Sequence, residues 1–194
     1  MYQNYKKARD LSWKVLLECN IRSLPVNLNA IAKHYGIKIV VYSSTSLLPA
    51  LNGKAMSVDG FSAIIGEQKI IFINDFIENK HRRRFTLAHE LGHCILNHPL
   101  DHILFRTSER CMFETEANIF ARDLLMPSAV LAAMNVHRFE DIMNICGVSA
   151  ESAKLRAERL KYLYKKNMFC SHPLEKAVAE QFKEYIEKYK LWIY

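Results

Sequence analysis

His89 and His93 stand four positions apart, and Glu90 directly follows the first of them in the string HELGH. On an α-helix, residues four apart point the same way. Two imidazoles so placed can share one divalent ion at about 2.0–2.1 Å from each nitrogen. Glu90 lies to one side of that shared position, where it can take a proton from a water held there. The chemistry implied is metal-assisted hydrolysis. Such a string arises by chance in roughly 2 of a hundred shuffles of this composition, so it needs a helix around it. Phe85, Ala88, Leu91, Cys94 and Ile95 recur at helical spacing, and no proline follows until Pro99, which predicts that helix.

A metal held by two histidines needs a third protein group if one position is to stay defined for water. A second helix is predicted from about Glu114 to Met126, ended by Pro127. Glu116, 23 positions after His93, is the first candidate for the third ligand, because an unpaired carboxylate amid Ala117, Ile119, Phe120 and Ala121 would be costly. Glu114 is the fallback. A metzincin arrangement would need a glycine and a histidine where Leu96 and Pro99 stand, so it is excluded. His98 and His102 are read as surface or supporting residues, and Asp123 as either a group orienting a ligand or a surface aspartate. Zinc is the expected ion, with manganese as the other candidate, and no organic cofactor is expected.

These side chains must be positioned by a mixed set of elements. Tyr5, Ala8, Leu11, Val15, Leu16 and Cys19 predict a first helix ending before Pro25; Asn27 caps a short second helix that Gly36 stops. The β-branched run 37–42 predicts a strand, and segments 61–65 and 69–73 predict a hairpin amid turn signals at Pro49, Asn52-Gly53, Asp59-Gly60 and Gly66. The fold class expected is α+β, with the motif helix lying across a small, mostly antiparallel sheet. A sheet edge beside the metal would hold an extended peptide by backbone hydrogen bonds.

Downstream, Phe139, Ile142, Met143 and Ile145 lead through Gly147 and a capping Ser149 to Ala153, Leu155, Ala157, Leu160 and Leu163. The pattern is helix, tight turn, helix, similar to a helix-turn-helix unit that can enter a DNA groove. From position 149 to 166 six basic side chains, Arg156 among them, face Glu151 and Glu158, a local balance of +4. Such pairs also serve as scaffolding or partner docking. A last amphipathic helix is predicted from Pro173 to about Tyr189. The expected divisions are residues 1–130 for the metal-site domain, 131–166 for the helix-turn-helix-like region and 167–194 for the terminal helix.

Composition narrows the setting. Half of the 194 residues are hydrophobic, enough for a real core, and no run of about 18 apolar residues or signal-type leader is present, so a cytoplasmic location without membrane contact is expected. Five cysteines, Cys19, Cys94, Cys111, Cys146 and Cys170, form no Cys-x-x-Cys pair, which disfavours a disulfide framework and a thiolate metal site. The charge of +7 suits an acidic partner, although the run from His81 to Arg84 reads first as a solvated helix start.

Segments 83–93 (RRFTLAHELGH) and 114–127 (ETEANIFARDLLMP) together resemble the ImmA/IrrE metallopeptidase family. The resemblance covers roughly residues 10–165 in layout. It implies a zincin-like domain in which His89, His93 and Glu116 hold the metal and Glu90 is the general base. It also implies a protein substrate, typically a helix-turn-helix repressor encoded nearby, whose cleavage releases genes of mobile elements or stress responses. Thermolysin-like enzymes carry a carboxylate after the third ligand that supports a zinc histidine; counted from Glu116, that place holds Ile119 and Phe120. Two other functions remain open: a DNA- or partner-binding regulator with a structural or idle metal site, and a component of a toxin-antitoxin pair.

Overall fold

The expected helical stripe near the start of the chain closes into α1 (Tyr2–Glu18), and α2 (Leu28–His34) buries Leu28, Ile31 and Ala32. Gly36 then adopts φ 63°, a left-handed conformation that glycine takes without a Cβ penalty, and turns the chain into β1 (Lys38–Val41). The computed structural model describes residues 2–45, 58–100, 108–169 and 171–193. The turn signals at Pro49 and Asn52-Gly53, together with His102 and Cys170, lie outside the described residues. The chain forms two compact units, one of Met1–Ala8 with Leu28–Ala121 and the other of Arg9–Asn27 with Arg122–Tyr194.

In the first unit, β2 (Gly60–Ile65) and β3 (Gln68–Ile73) form the expected hairpin, turned at Gly66 with φ 64°. The three-stranded sheet has the order β1-β3-β2. It is mixed: β2 pairs antiparallel with β3 from Gly60↔Ile73 to Ile65↔Gln68, and β1 adds a shorter parallel pairing from Lys38↔Ile70 to Val41↔Ile73. A two-residue turn forces the antiparallel pair, whereas the long connection from β1 lets that strand join the other side of β3 in the same direction. One face carries Tyr42, Ile70 and Phe72 with Val40, Phe61 and Ala63 packed against them, Phe61 stacked on Phe72 at 4.8 Å. The other face presents Ser62 and its cross-strand partner Ile71.

Helix α3 (Lys80–Ile95) lies on that second face. Asn79 caps it by accepting from the backbone N–H groups of His81 and Arg82 at 3.0 and 3.1 Å, which satisfies two of the donors orphaned at a helix start. The basic run at its start is locally engaged: Arg82 pairs with Asp59 through Nη2 at 2.7 Å, and Arg83 donates to the Asp75 carbonyl at 3.1 Å. A Cβ added to Gly60 would meet the Phe72 carbonyl oxygen at 2.7 Å and Thr86 Cγ2 at 2.9 Å, so glycine is what lets β2 approach both β3 and α3. Helix α4 (Ser108–Leu125) packs against α3 at Gly92. A Cβ on Gly92 would sit 3.1 Å from the Phe120 ring and 3.3 Å from Ala117 Cα. The glycine inside the HELGH string therefore sets the close approach of the two helices.

In the second unit, α5 (Ser128–Ala133) starts at Pro127, and α6 (Phe139–Cys146) ends at Gly147 in the left-handed region. The Ser149 hydroxyl accepts from Ser152 N at 3.2 Å to open α7 (Ala150–Lys165). The expected helix, tight turn and helix are thus present. Two side chains depart from expectation. Arg156, counted above in the local charge balance, is buried at 1% exposure, and Leu155, grouped with the apolar residues at helical spacing, is 67% exposed. The buried stripe of α7 is Ala153, Arg156, Ala157, Leu160 and Leu163, an i, i+3, i+4, i+7, i+10 series that leaves Leu155 roughly 140° from its mean direction. The last helix is two, α8 (Pro173–Gln181) and α9 (Lys183–Ile193). They are separated at the buried Phe182, beside a Gln181 whose amide donates to the carbonyls of Leu16 and Ile21 at 2.8 and 2.7 Å. No glycine or proline marks that break; tertiary anchoring makes it. Cys19, Cys94, Cys111 and Cys146 are thiols, and among the described residues no helix is long and apolar enough to cross a membrane.

Candidate metal centre

Within the first unit, α3 brings His89 and His93 together as their spacing requires, with the two Nε2 atoms 3.0 Å apart. Helix α4 adds Glu114, whose carboxylate oxygens lie 3.2 Å from His89 Nε2 and 3.8 Å from His93 Nε2. One ligand atom from each of the three residues falls within 4.8 Å of the others. The set is two imidazole nitrogens and a carboxylate oxygen, which is the donor chemistry of a zinc site that keeps one position open. The electrostatics agree. Burial works against a charged His89 imidazole, yet its bond to Glu114 and the charges of Glu90 and Glu114 outweigh that and raise its pKa. The same negative field favours any cation placed between these groups.

Glu116 is not in this group. Its carboxylate, 7% exposed against 40% for Glu114, sits 3.0 Å from His98 Nε2. The premise that a buried carboxylate here needs a partner holds, but the partner is an imidazole. Helical geometry explains the division: Glu114 and Asn118, four apart, share one face of α4, whereas Glu116 is turned by roughly 200° from Glu114. Asn118 Oδ1 lies 3.0 Å from His89 Nδ1. Asn118 was not expected from the sequence, where the supporting place was counted from Glu116; counted from Glu114, four positions on, that place holds this amide.

The base candidate Glu90 is 9% exposed and accepts a 2.6 Å hydrogen bond from the Ser62 hydroxyl on β2. Burial raises its carboxyl pKa, and the Ser62 bond pulls the other way. Ser62 was also missed; the available signal was a lone hydroxyl at an inward position of an otherwise apolar strand. His98, read as a surface or supporting residue, is not on the surface: it is 6% exposed, with Nδ1 3.0 Å from His93 Nδ1 and its ring 4.7 Å from that of Phe113. Burial lowers its pKa against the opposing bond to Glu116. Asp123 plays no part at this site. It belongs to the second unit, where it is 2% exposed and pairs with Arg156 Nη2 at 2.8 Å and with Arg122 Nη2 at 2.8 Å.

Residues 19–158 match a peptidase family described as the IrrE N-terminal-like domain. A protein of Bacillus phage phi105 described as "uncharacterized immunity region protein 2" is 38% identical over 104 residues. That alignment covers 50% of this chain and 64% of the phage protein, less than two thirds of its length.

Proposed function

The chain belongs to the IrrE N-terminal-like family of peptidases, and from that premise we propose that it is a zinc-dependent endopeptidase with His89, His93 and Glu114 as metal ligands and Glu90 as general base. The observation that carries the proposal is the convergence of His89 Nε2, His93 Nε2 and the Glu114 carboxylate beside the HELGH carboxylate that Ser62 holds in place. When bound, zinc would supply a Lewis acid that polarises the scissile carbonyl and acidifies a water molecule. Glu90 takes the proton of the attacking water on its carboxylate and returns it to the leaving amine. Asn118 orients the His89 ring by accepting from its Nδ1–H, which leaves the lone pair on Nε2 for the metal. Strand β2, at one end of the strand order and carrying Ser62, offers an extended peptide a backbone to pair with next to the base.

The substrate we propose is a helix-turn-helix repressor encoded nearby, cut in the cytoplasm so that mobile-element or stress genes are released. The family's association with such repressors supports this, and a relative named for a phage immunity region accords with it. The DNA-binding alternative loses part of its footing, because Arg156 is turned into the second unit and spends its charge on Asp123. The test is incubation with the neighbouring repressor, with and without zinc, for wild type and Glu90→Gln. Metal-dependent cutting by wild type alone supports the proposal; equal cutting by the variant sinks it.

A further inference from the structure

Behind His93 the structure contains a chain of ring nitrogens that ends on the residue first expected to bind the metal. Helix α3 stops at Leu96, Asn97 takes φ 55°, and the His98 N–H donates to the His93 carbonyl at 3.0 Å. This six-to-one bond is the Schellman closure of a helix end. It returns the His98 ring to His93, giving the Nδ1–Nδ1 separation of 3.0 Å. Lys69 fastens the turn, donating to the Cys94 carbonyl and to Asn97 Oδ1, both at 2.8 Å. His98 Nε2 then meets Glu116 Oε2 at 3.0 Å.

With His98 neutral and Glu116 ionised, these contacts give each hydrogen bond of the chain a direction. A carboxylate only accepts, so His98 carries its proton on Nε2. The remaining nitrogen of a neutral His98 is an acceptor, so His93 must donate from Nδ1. The His93 lone pair is thereby assigned to Nε2, the atom facing His89 and Glu114. We propose that Glu116 and His98 are positioning residues that act through His93: the carboxylate sets the tautomer of His98, which sets the tautomer and ring orientation of the metal ligand. Glu116 thus serves the metal at one remove, and the two ligand histidines are braced unequally, His89 by a neutral amide and His93 by an imidazole–carboxylate pair. The proposal rests on the metal-site reading above.

Outer partners of ligand histidines typically change metal affinity by about 10–100-fold. The first test is zinc affinity of the full chain by chelator competition, together with the absorption spectrum of the cobalt form. His98→Phe, which keeps a ring against Phe113, and Glu116→Met should each weaken zinc binding by about 10–100-fold. The double variant should be no weaker than the poorer single one, and all should keep the wild-type cobalt bands, whereas Glu114→Gln should alter them. Unchanged affinity in both single variants overturns the proposal. So does a loss of the cobalt bands on changing Glu116 but not Glu114, which would make Glu116 itself a ligand and leave a metallopeptidase intact. A wild-type chain that binds no zinc removes the metal-site reading and this proposal with it.

A second measurement needs no variant. In the zinc-loaded, histidine-labelled wild type, long-range proton–nitrogen NMR correlations should report Nδ1–H on His93 and Nε2–H on His98. A proton on His98 Nδ1 with none on Nε2 would overturn the chain while leaving zinc binding as measured.

Discussion

Arg156 in the second unit and the Glu116–His98 pair in the first are both polar groups buried among apolar helices, yet they end differently. Arg156 donates through Nε to the Met126 carbonyl at 2.7 Å and through Nη2 to Asp123 at 2.8 Å, and Nη2 also reaches Met126 O. Asp123 in turn receives Arg122. The Arg156 guanidinium is met inside the cluster by the Asp123 carboxylate and the Met126 carbonyl, which is what a structural ion pair requires. The Glu116–His98 chain instead leads to His93, where possible ligand atoms of His89, His93 and Glu114 lie within 4.8 Å of one another. Such a group, with the Glu114 carboxylate beside two imidazoles, favours a cation placed between them. Burial alone therefore does not mark a functional group; the sign of what its network leads to does.

That contrast can be broken most forcefully at Glu90. Glu90→Gln should lower cleavage of the substrate by about 10²–10⁴-fold, the usual share of a general base, with zinc affinity by chelator competition unchanged. Arg156→Met should cost about 3–5 kcal/mol, because it takes the buried partner from Asp123 and leaves only the partly exposed Arg122 against it. The urea midpoint reads this loss, and zinc affinity of the remaining folded protein should stay as in wild type. A smaller effect, about 1–3 kcal/mol, is expected for Gly92→Val, whose side chain must displace Phe120 and Ala117. Unlike Arg156→Met, this change should also weaken zinc, since it pushes α4 and its Glu114 from α3.

The smallest effect lies in acid. Burial would raise the Asp123 carboxyl, but Arg156 and Arg122 outweigh it and hold its pKa below the usual value of 3.8. A depressed carboxylate contributes stability that is fully present above its unfolded pKa and lost as pH falls through the folded one. The stability difference between wild type and Asp123→Asn should thus be constant above about pH 5 and shrink below the ordinary carboxylate range. A difference that instead grows on acidification would contradict the ion pair.

The sequence showed the motif helices well because their signals are local. Apolar spacing around HELGH, Pro127 after α4 and Gly36 before β1 each act over a few residues. The identity of the third acidic group was not legible in the same way. Glu114 and Glu116 are both acidic and two positions apart, and which one meets the histidines depends on the face α4 turns to α3. That face is set by the contact of Gly92 with Ala117 and Phe120, a tertiary fact. Arg156 was misread for a similar reason: a buried arginine is explained only by a partner, and Asp123 lies 33 residues away. The parallel pairing of β1 and the break at Phe182 likewise depend on neighbours distant in sequence.

The claim that two imidazoles and Glu114 hold a metal beside Glu90 is tested most directly by anomalous scattering at the zinc edge from crystals of the zinc-loaded chain. The expected result is one peak bonded to His89 Nε2, His93 Nε2 and a Glu114 oxygen, with Glu116 still on His98. A peak bonded to Glu116 in place of Glu114, or no peak between the two histidines, would contradict it.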